Sequence, residues 1–360
     1  MNNIKKIGLT ALAGSLVTLG SAQAGDISVS GSINATLKYG KGGGNTSRSI
    51  GTDRDVTFSG GGELDNGTTF SVSTLLTDAM AVSSSATVIT TPSLGSFTMG
   101  ASTGSASYKY DEEVPQAYEQ LSDGHQNTAN LVGNFMDNNH ILYTSPTFEF
   151  AGAGITLDLG YSPQASDVDQ VGDGGQMTYS ETYGSGTEAG VTITYEGLKI
   201  GAYGAERENT KPDMAGSDVD RDEFNGVWYA KYSMGPVSIG YSESYLDAGL
   251  SGAIVTVNTP KTVRTSNGIF EGNQLSIAFN VNENMSISYT TGDDTFNSQD
   301  DAATATTTDD DVTKKTDAIQ VAYSMGGMSI KAYNMEVTNP KYDDDAADQS
   351  VTEIALGLSF

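Results

Sequence analysis

Any chemistry in this chain would have to come from carboxylates, hydroxyls and a few amines. Cysteine is absent and histidine occurs twice, at His125 and His140. That inventory excludes disulfide scaffolds, thiolate metal sites and cysteine nucleophiles, and two isolated imidazoles are too few for a zinc site. One catalytic spelling is present, Gly100-Ala101-Ser102-Thr103-Gly104, which matches G-x-S-x-G. The pattern has mechanical meaning only on a strand-to-helix turn of an α/β fold. No such context surrounds it, so it reads as a chance match in a chain rich in Gly and Ser. A hydrolase would also need a histidine and an orienting group beside that serine, whereas both histidines belong to a separate long segment. No dinucleotide or phosphate-loop spelling occurs, and an enzyme is not expected.

Carboxylates are the abundant chemical resource. They run as Asp111-Glu112-Glu113 followed by Glu119 and Asp123, as Asp218-Val219-Asp220-Arg221-Asp222, as Asp309-Asp310-Asp311 and as Asp343-Asp344-Asp345. Hard oxygen ligands suit Ca²⁺ or Mg²⁺. The second run nevertheless fails the EF-hand test, with Glu223 where the turn glycine belongs and Tyr229 where the closing glutamate belongs. No metal and no cofactor is expected, and the last two runs read as solvated external loops. With 45 acidic against 18 basic residues the formal charge is −27, which excludes nucleic acid as a default partner.

The elements that carry these residues follow from periodicity. Lys5 and Lys6 precede an apolar stretch from Ile7 to Leu19, and Ala22-Gln23-Ala24 forms an A-x-A site. Residues 1–24 therefore read as a secretory signal peptide, with 25–360 as the mature domain. No later stretch reaches the 18 or more apolar residues of a spanning helix. A β-barrel crosses instead with strands of alternating polarity, and that alternation is nearly continuous. Ile27, Val29, Ile33, Leu37 and Tyr39 share one parity, with Ser, Asn, Thr and Lys on the other. The same register recurs at Leu157, Leu159 and Tyr161, at Trp228, Ala230 and Tyr232, at Ile277, Phe279 and Val281, and at Ile354, Leu356 and Leu358.

Short turn spellings such as Asp65-Asn66-Gly67, Gly235-Pro236 and Gly326-Gly327 alternate with longer segments near 40–50, 79–82, 103–139, 163–186, 207–222, 247–268, 293–315 and 339–349. Seven turns and eight loops join sixteen strands, too many for one ordinary sandwich. The reading is an all-β, 16-stranded antiparallel transmembrane barrel with short turns at one end and long external loops at the other.

The last strand, Val351 to Phe360, ends the chain on an aromatic residue with apolar residues alternating before it. It resembles the C-terminal signature of bacterial outer-membrane proteins. The opening Gly25-Asp26-Ile27-Ser28-Val29-Ser30-Gly31 and the block Val56-Thr57-Phe58-Ser59-Gly60 before Leu64-Asp65-Asn66-Gly67-Thr68-Thr69-Phe70 are similar to general porins of Gram-negative bacteria. The alphaproteobacterial, Rhodobacter-porin-like branch looks nearest. The resemblance implies a homotrimer in the outer membrane, in contact with its lipids and lipopolysaccharide. It also implies passive diffusion of ions and small hydrophilic solutes through a water-filled pore, narrowed by an inward-folded third loop. That loop corresponds here to the segment 103–139. The family's constriction carboxylates then fall on Asp111, Glu112, Glu113 and Glu119, and a mild cation preference follows, since acidic rings favour cations.

Parity supplies the opposite wall. With Leu37 and Tyr39 outward, Lys38 points inward, and Ile330 outward puts Lys331 inside; Lys199 and Lys231 follow the same rule. In the family a basic wall cluster often faces the loop carboxylates, and Lys38, Arg54 and Lys331 are its candidates here. Arg54, however, shares parity with Val56 and Phe58. A solute-specific channel and a non-conducting structural or adhesin barrel are the rival readings.

Overall fold

The computed structural model describes residues 27–42, 44–77, 79–101, 103, 105–122, 136, 139–165, 183–209, 222–249, 254–255, 262–263, 268–297 and 311–360. The expected signal segment and His125, Ser102 and Asp123 lie outside them.

Alternating sequence becomes alternating strands. In chain order these are β1 (Ile27–Gly42), β2 (Asn45–Glu63), β3 (Thr69–Leu76), β4 (Val82–Thr91) and β5 (Gly95–Ala101). β6 is one stave in two pieces, His140–Thr144 and Phe148–Phe150, interrupted beside Pro146, which has no N–H to give a ladder. Next come β7 (Ala153–Ser162), β8 (Tyr183–Tyr195), β9 (Leu198–Asn209), β10 (Glu223–Met234) and β11 (Val237–Asp247). The set ends with β12 (Ile269–Asn280), β13 (Met285–Asn297), β14 (Val312–Met325), β15 (Met328–Thr338) and β16 (Gln349–Ser359). A two-stranded ribbon pairs Ile254 with Val263 in the connection before β12.

Each strand pairs antiparallel with its neighbours in sequence, and β1 pairs with both β2 and β16, with Leu37 opposite Ile354 and Lys38 opposite Glu353. The sheet therefore closes as a 16-stranded barrel, which leaves no unpaired edge. Phe360 completes the seam by exchanging backbone hydrogen bonds with Gly31 at 2.9 and 3.1 Å. A β-carbon on Gly31 would stand 2.6 Å from the Phe360 ring, so the ring lies against bare backbone and would have to shift for a larger residue.

The two faces separate by parity. Leu37, Leu157, Ile200, Trp228, Ile239, Ile277, Ile319 and Ile354 are all exposed on the outer surface, whereas their inward neighbours on β7 to β16 are mostly buried. At one end of the belt the outward Trp228 and Tyr241 both donate to Glu243, at 3.0 and 2.7 Å, and Tyr289 donates to Asp317 at 2.6 Å. Aromatic side chains with one wet end are the usual rim of a membrane-facing surface.

Strand length departs from the expected loops in two places. The β1–β2 hairpin runs on to Gly42 and Asn45 through the expected 40–50 loop, because Gly44 at φ +80° supplies the tight turn. β13 and β14 likewise reach Asn297 and back to Val312. Ladder hydrogen bonds are made by backbone and tolerate the polar alternation Thr291–Asn297 beyond the apolar belt.

Candidate functional site

Between β5 and β6 the chain does not leave the barrel. A short 3₁₀ turn at Ala106–Lys109 is capped by Ser105. From there to Ser122 the segment touches the ten strands β7 to β16, and Thr144 of β6 as well. The Lys109 ammonium pairs with Asp158 on β7 and also donates to Thr144 at 2.7 Å, and Tyr110 donates to Asp158 at 2.9 Å. The Ala106 N–H donates to Glu188 on β8 at 3.0 Å. Glu113 receives Lys199 of β9 at 3.0 Å and pairs with Lys231 of β10.

Beyond Glu113 the contacts continue around the circumference. Pro115 lies over Gly240 of β11, and its carbonyl accepts from Ser276 of β12 at 2.5 Å. The Ala117 N–H donates to Ser288 of β13 at 2.9 Å, and the Tyr118 N–H to Gln320 of β14 at 2.7 Å. Tyr118 then stacks near Tyr333 of β15 at 5.8 Å between centroids and donates to Glu353 of β16 at 2.5 Å. Ten strands about 4.8 Å apart cover an arc of roughly 45 Å, within reach of about 17 extended residues. Only the inner face of the cylinder offers an arc that short.

The wall beneath the segment is shaped to receive it. A β-carbon on Gly190 would fall 2.4 Å from the Tyr110 ring, and one on Gly240 would fall 2.5 Å from Pro115. Both glycines occupy inward positions, so the loop lies flat against bare backbone. Tyr110, Tyr203 and Tyr229 pack together under it, with Ala106, Met136 and Val227.

The described part of the loop packs chiefly against β6 to β16. On β1 to β5 the inward residues are small and polar, among them Ser30, Asn34, Thr57, Ser73 and Thr98, and they remain open rather than buried. Asp53 and Asp55, opposite Asn34 and Ser32, are the carboxylates in the middle of this wall. Lys38 is its single inward cation, bound at 2.7 Å to Glu353, which is almost fully buried and also accepts from Tyr118 and Tyr333.

A model of the family described as Gram-negative porin matches residues 8–259, more than half of the sequence. The chain belongs to the Gram-negative porins. No curated protein matches it. Among solved structures it is similar to OmpF of Salmonella typhi, in a complex with daunomycin, at TM-score 0.67 and 13% identity, covering 93% of this chain and 97% of that one. It is also similar to the in-vitro folded trimer form of OmpT of Vibrio cholerae, at 0.61 and 13%, covering 94% and 100%. A variant of the porin of Rh. blastica gives 0.57 and 14%, covering 93% and 100%. These likenesses carry the 16-stranded fold, and the family places the protein in the outer membrane as a porin.

Within this porin the anticipated residues have divergent fates. Glu112 is buried, at φ +45°. Its carboxylate accepts from the Leu121 N–H at 2.9 Å, from Ser122 and from Gln274 of β12 at 2.6 Å, so it folds the loop and does not line the bore. Glu113 lies in a two-lysine clamp. Burial alone would raise its carboxyl, but the Lys231 and Lys199 ammoniums together hold it below the usual carboxylate value. Asp111 and Glu119 are partly exposed on the loop, each with its carbonyl receiving an amide hydrogen bond, from Gln120 and Gln320 respectively.

Lys331 points inward, 5.0 Å from the Tyr118 ring centroid. Arg54 does not line the bore. It pairs with Ile33 and shares the outer face with Ile50, Val56 and Phe58, as its parity requires. The residues that sequence reasoning passed over are Asp53 and Asp55, and their signal was the same parity: if Arg54 is outside, both flanking aspartates are inside. His140 is an inward, buried residue of β6.

Proposed function

We propose that this porin is a general diffusion channel, conducting ions and small hydrophilic solutes down their gradients with a mild preference for cations. The observation that carries the reading is the wall of β1 to β5, whose Ser, Thr and Asn side chains stay accessible while the described part of the loop packs against the strands opposite. A wet bore of mixed small polar residues offers no built pocket for one solute. The reading calls for no turnover, no cofactor and no metal.

The cation preference rests on which charges are left to act. Glu113 is offset by two lysines, Lys38 by Glu353, and Lys109 by Asp158. Asp53, Asp55, Asp111 and Glu119 outnumber Lys331 and the one excess positive charge of the Lys199–Lys231 pair around Glu113. Only charges near the passing ion count, because the Debye length is about 8 Å at physiological salt.

The trimer expected from the family is supported by Arg54. An arginine on a lipid-facing strand costs about 2–4 kcal/mol at the bilayer midplane, and the adjoining β3 has only 8 residues. A second copy over this face would remove the arginine from hydrocarbon. Residues 1–24 are read as the leader removed on export, and lipopolysaccharide and phospholipid as the outer surroundings.

Reconstitution tests the reading. Liposomes carrying the purified protein should swell in neutral sugars at rates falling smoothly with sugar size, and planar bilayers should show ohmic steps. Saturating uptake of one solute class would replace general diffusion by a specific channel, and absence of steps would leave a structural barrel.

A further inference from the structure

The loop joining β15 to β16 was expected as solvated external skin, yet part of it is in the interior. Tyr342 is 2% exposed, and its ring packs at 5.5 Å on Phe270 of β12 and 5.6 Å on Phe296 of β13, themselves 4.9 Å apart. Both phenylalanines occupy inward positions, opposite in parity to the exposed Leu275 and Ile287. The Tyr342 hydroxyl donates to Asp294 of β13, and Lys314 of β14 reaches both partners, Tyr342 at 3.3 Å and Asp294 at 3.4 Å. From its root on β15 the segment therefore crosses β14 and β13 on the inner face to reach β12.

The backbone is bent to make this crossing. Asn339, Lys341 and Tyr342 all take left-handed φ values, 52°, 59° and 55°, around Pro340. Such residues persist only where the surroundings over-determine them. Here the Asn339 amide donates to the Thr313 carbonyl at 2.8 Å, and the aromatic triad holds the other end. Beyond it Asp344 and Asp345 are exposed at the tip, with Asp343 buried behind them.

We infer that residues 339–345 form a second strap on the inner wall, anchored by Tyr342, which lengthens the narrow zone of the 103–139 loop toward the loop end of the barrel. Tyr342 is a positioning residue: it touches no solute but sets how far the strap intrudes. The strap lies toward the loop end of the barrel, immediately outside the 103–139 loop, whose Leu121 clusters with Val337 and lies against Gly292.

The inference rests on the conducting reading above, and wild-type current separates the two. No wild-type steps would remove that reading; steps with no strap effect would remove only the strap. The chain has no cysteine, so Asp345→Cys places a single thiol on the tip. Bulky thiol reagents added to the loop side should cut its single-channel current, with no cut in the cysteine-free parent. In parallel, Tyr342→Ala should raise conductance and the size limit for sugars, while Tyr342→Phe, which keeps the ring in the triad, should stay close to wild type in both. Should Tyr342→Ala fail to fold, the labelled Asp345→Cys channel decides alone. Current unchanged by the label, or Tyr342→Ala and Tyr342→Phe giving the same conductance as wild type, would overturn the strap.

Discussion

The two halves of the barrel wall solve different problems with the same alternating strands. On β7 to β16 many inward positions carry charged and aromatic residues, several of them matched to a point on the third loop: Asp158 to Lys109, Lys199 and Lys231 to Glu113, Glu353 to Tyr118. On β1 to β5 the inward positions are mostly small and polar, with Asp53, Asp55 and Lys38 among them, and the described part of the third loop packs chiefly on the other half. Charge on the covered half holds the loop in place, whereas Asp53 and Asp55 on the other half face the bore. A count of carboxylates along the chain cannot make that distinction, because it depends on what each one faces.

Breaking the comparison outright means removing the cover. Excising residues 106–121 and closing the gap with a short glycine linker should raise single-channel conductance several-fold, since the covered half would then be bare. Unchanged conductance would mean that the loop does not narrow the bore.

The next effect concerns the clamp. Glu113→Gln leaves Lys199 and Lys231 uncompensated on the covered half. Unit charges about 8 Å from an ion in water act with about 0.5 kcal/mol each, so the cation-to-anion permeability ratio should fall by about two- to fivefold, and less at high salt. Glu112→Gln should behave in the opposite sense. It removes the carboxylate that receives Leu121, Ser122 and Gln274, and leaving such buried donors poorly matched costs about 1–3 kcal/mol. Its signature is therefore a lower unfolding temperature in detergent with selectivity nearly unchanged.

Acid sharpens the same contrast. Because the clamp lowers the Glu113 carboxyl in the folded protein, its stabilising contribution is fully present above the unfolded carboxyl value and is lost only as pH falls through the lowered folded one. Conductance should then hold constant from neutral to mildly acid pH and become noisy only below the ordinary carboxylate range. Noise beginning near pH 6 would contradict the assignment. The smallest effect belongs to Arg54→Gln, which should leave selectivity at wild type because the side chain is on the outer face, while changing oligomer stability in detergent.

The fold was legible because alternation is a local property. Parity at Leu37, Trp228 or Ile354 follows from neighbours in the chain, and the turn glycines mark where strands reverse. The length and acidity of the 103–139 segment were legible too. What stayed hidden was pairing at long range. Glu112 and Glu113 are adjacent and chemically alike, yet one meets Gln274 and the other Lys199 and Lys231, from strands far along the chain. The inward glycines at 190 and 240 gave a faint signal, since a small residue facing the bore leaves room for something to lie on it. Tyr342 gave none, because an aromatic residue in an acidic loop looks the same whether it points to water or folds into a mouth.

The most direct test is the zero-current potential of the reconstituted protein in planar bilayers across a tenfold KCl gradient, wild type beside Asp53→Asn/Asp55→Asn. The account predicts a cation-selective potential in the wild type that collapses toward zero in the double variant. An anion-selective wild type, or a double variant that keeps the full cation potential, would contradict it.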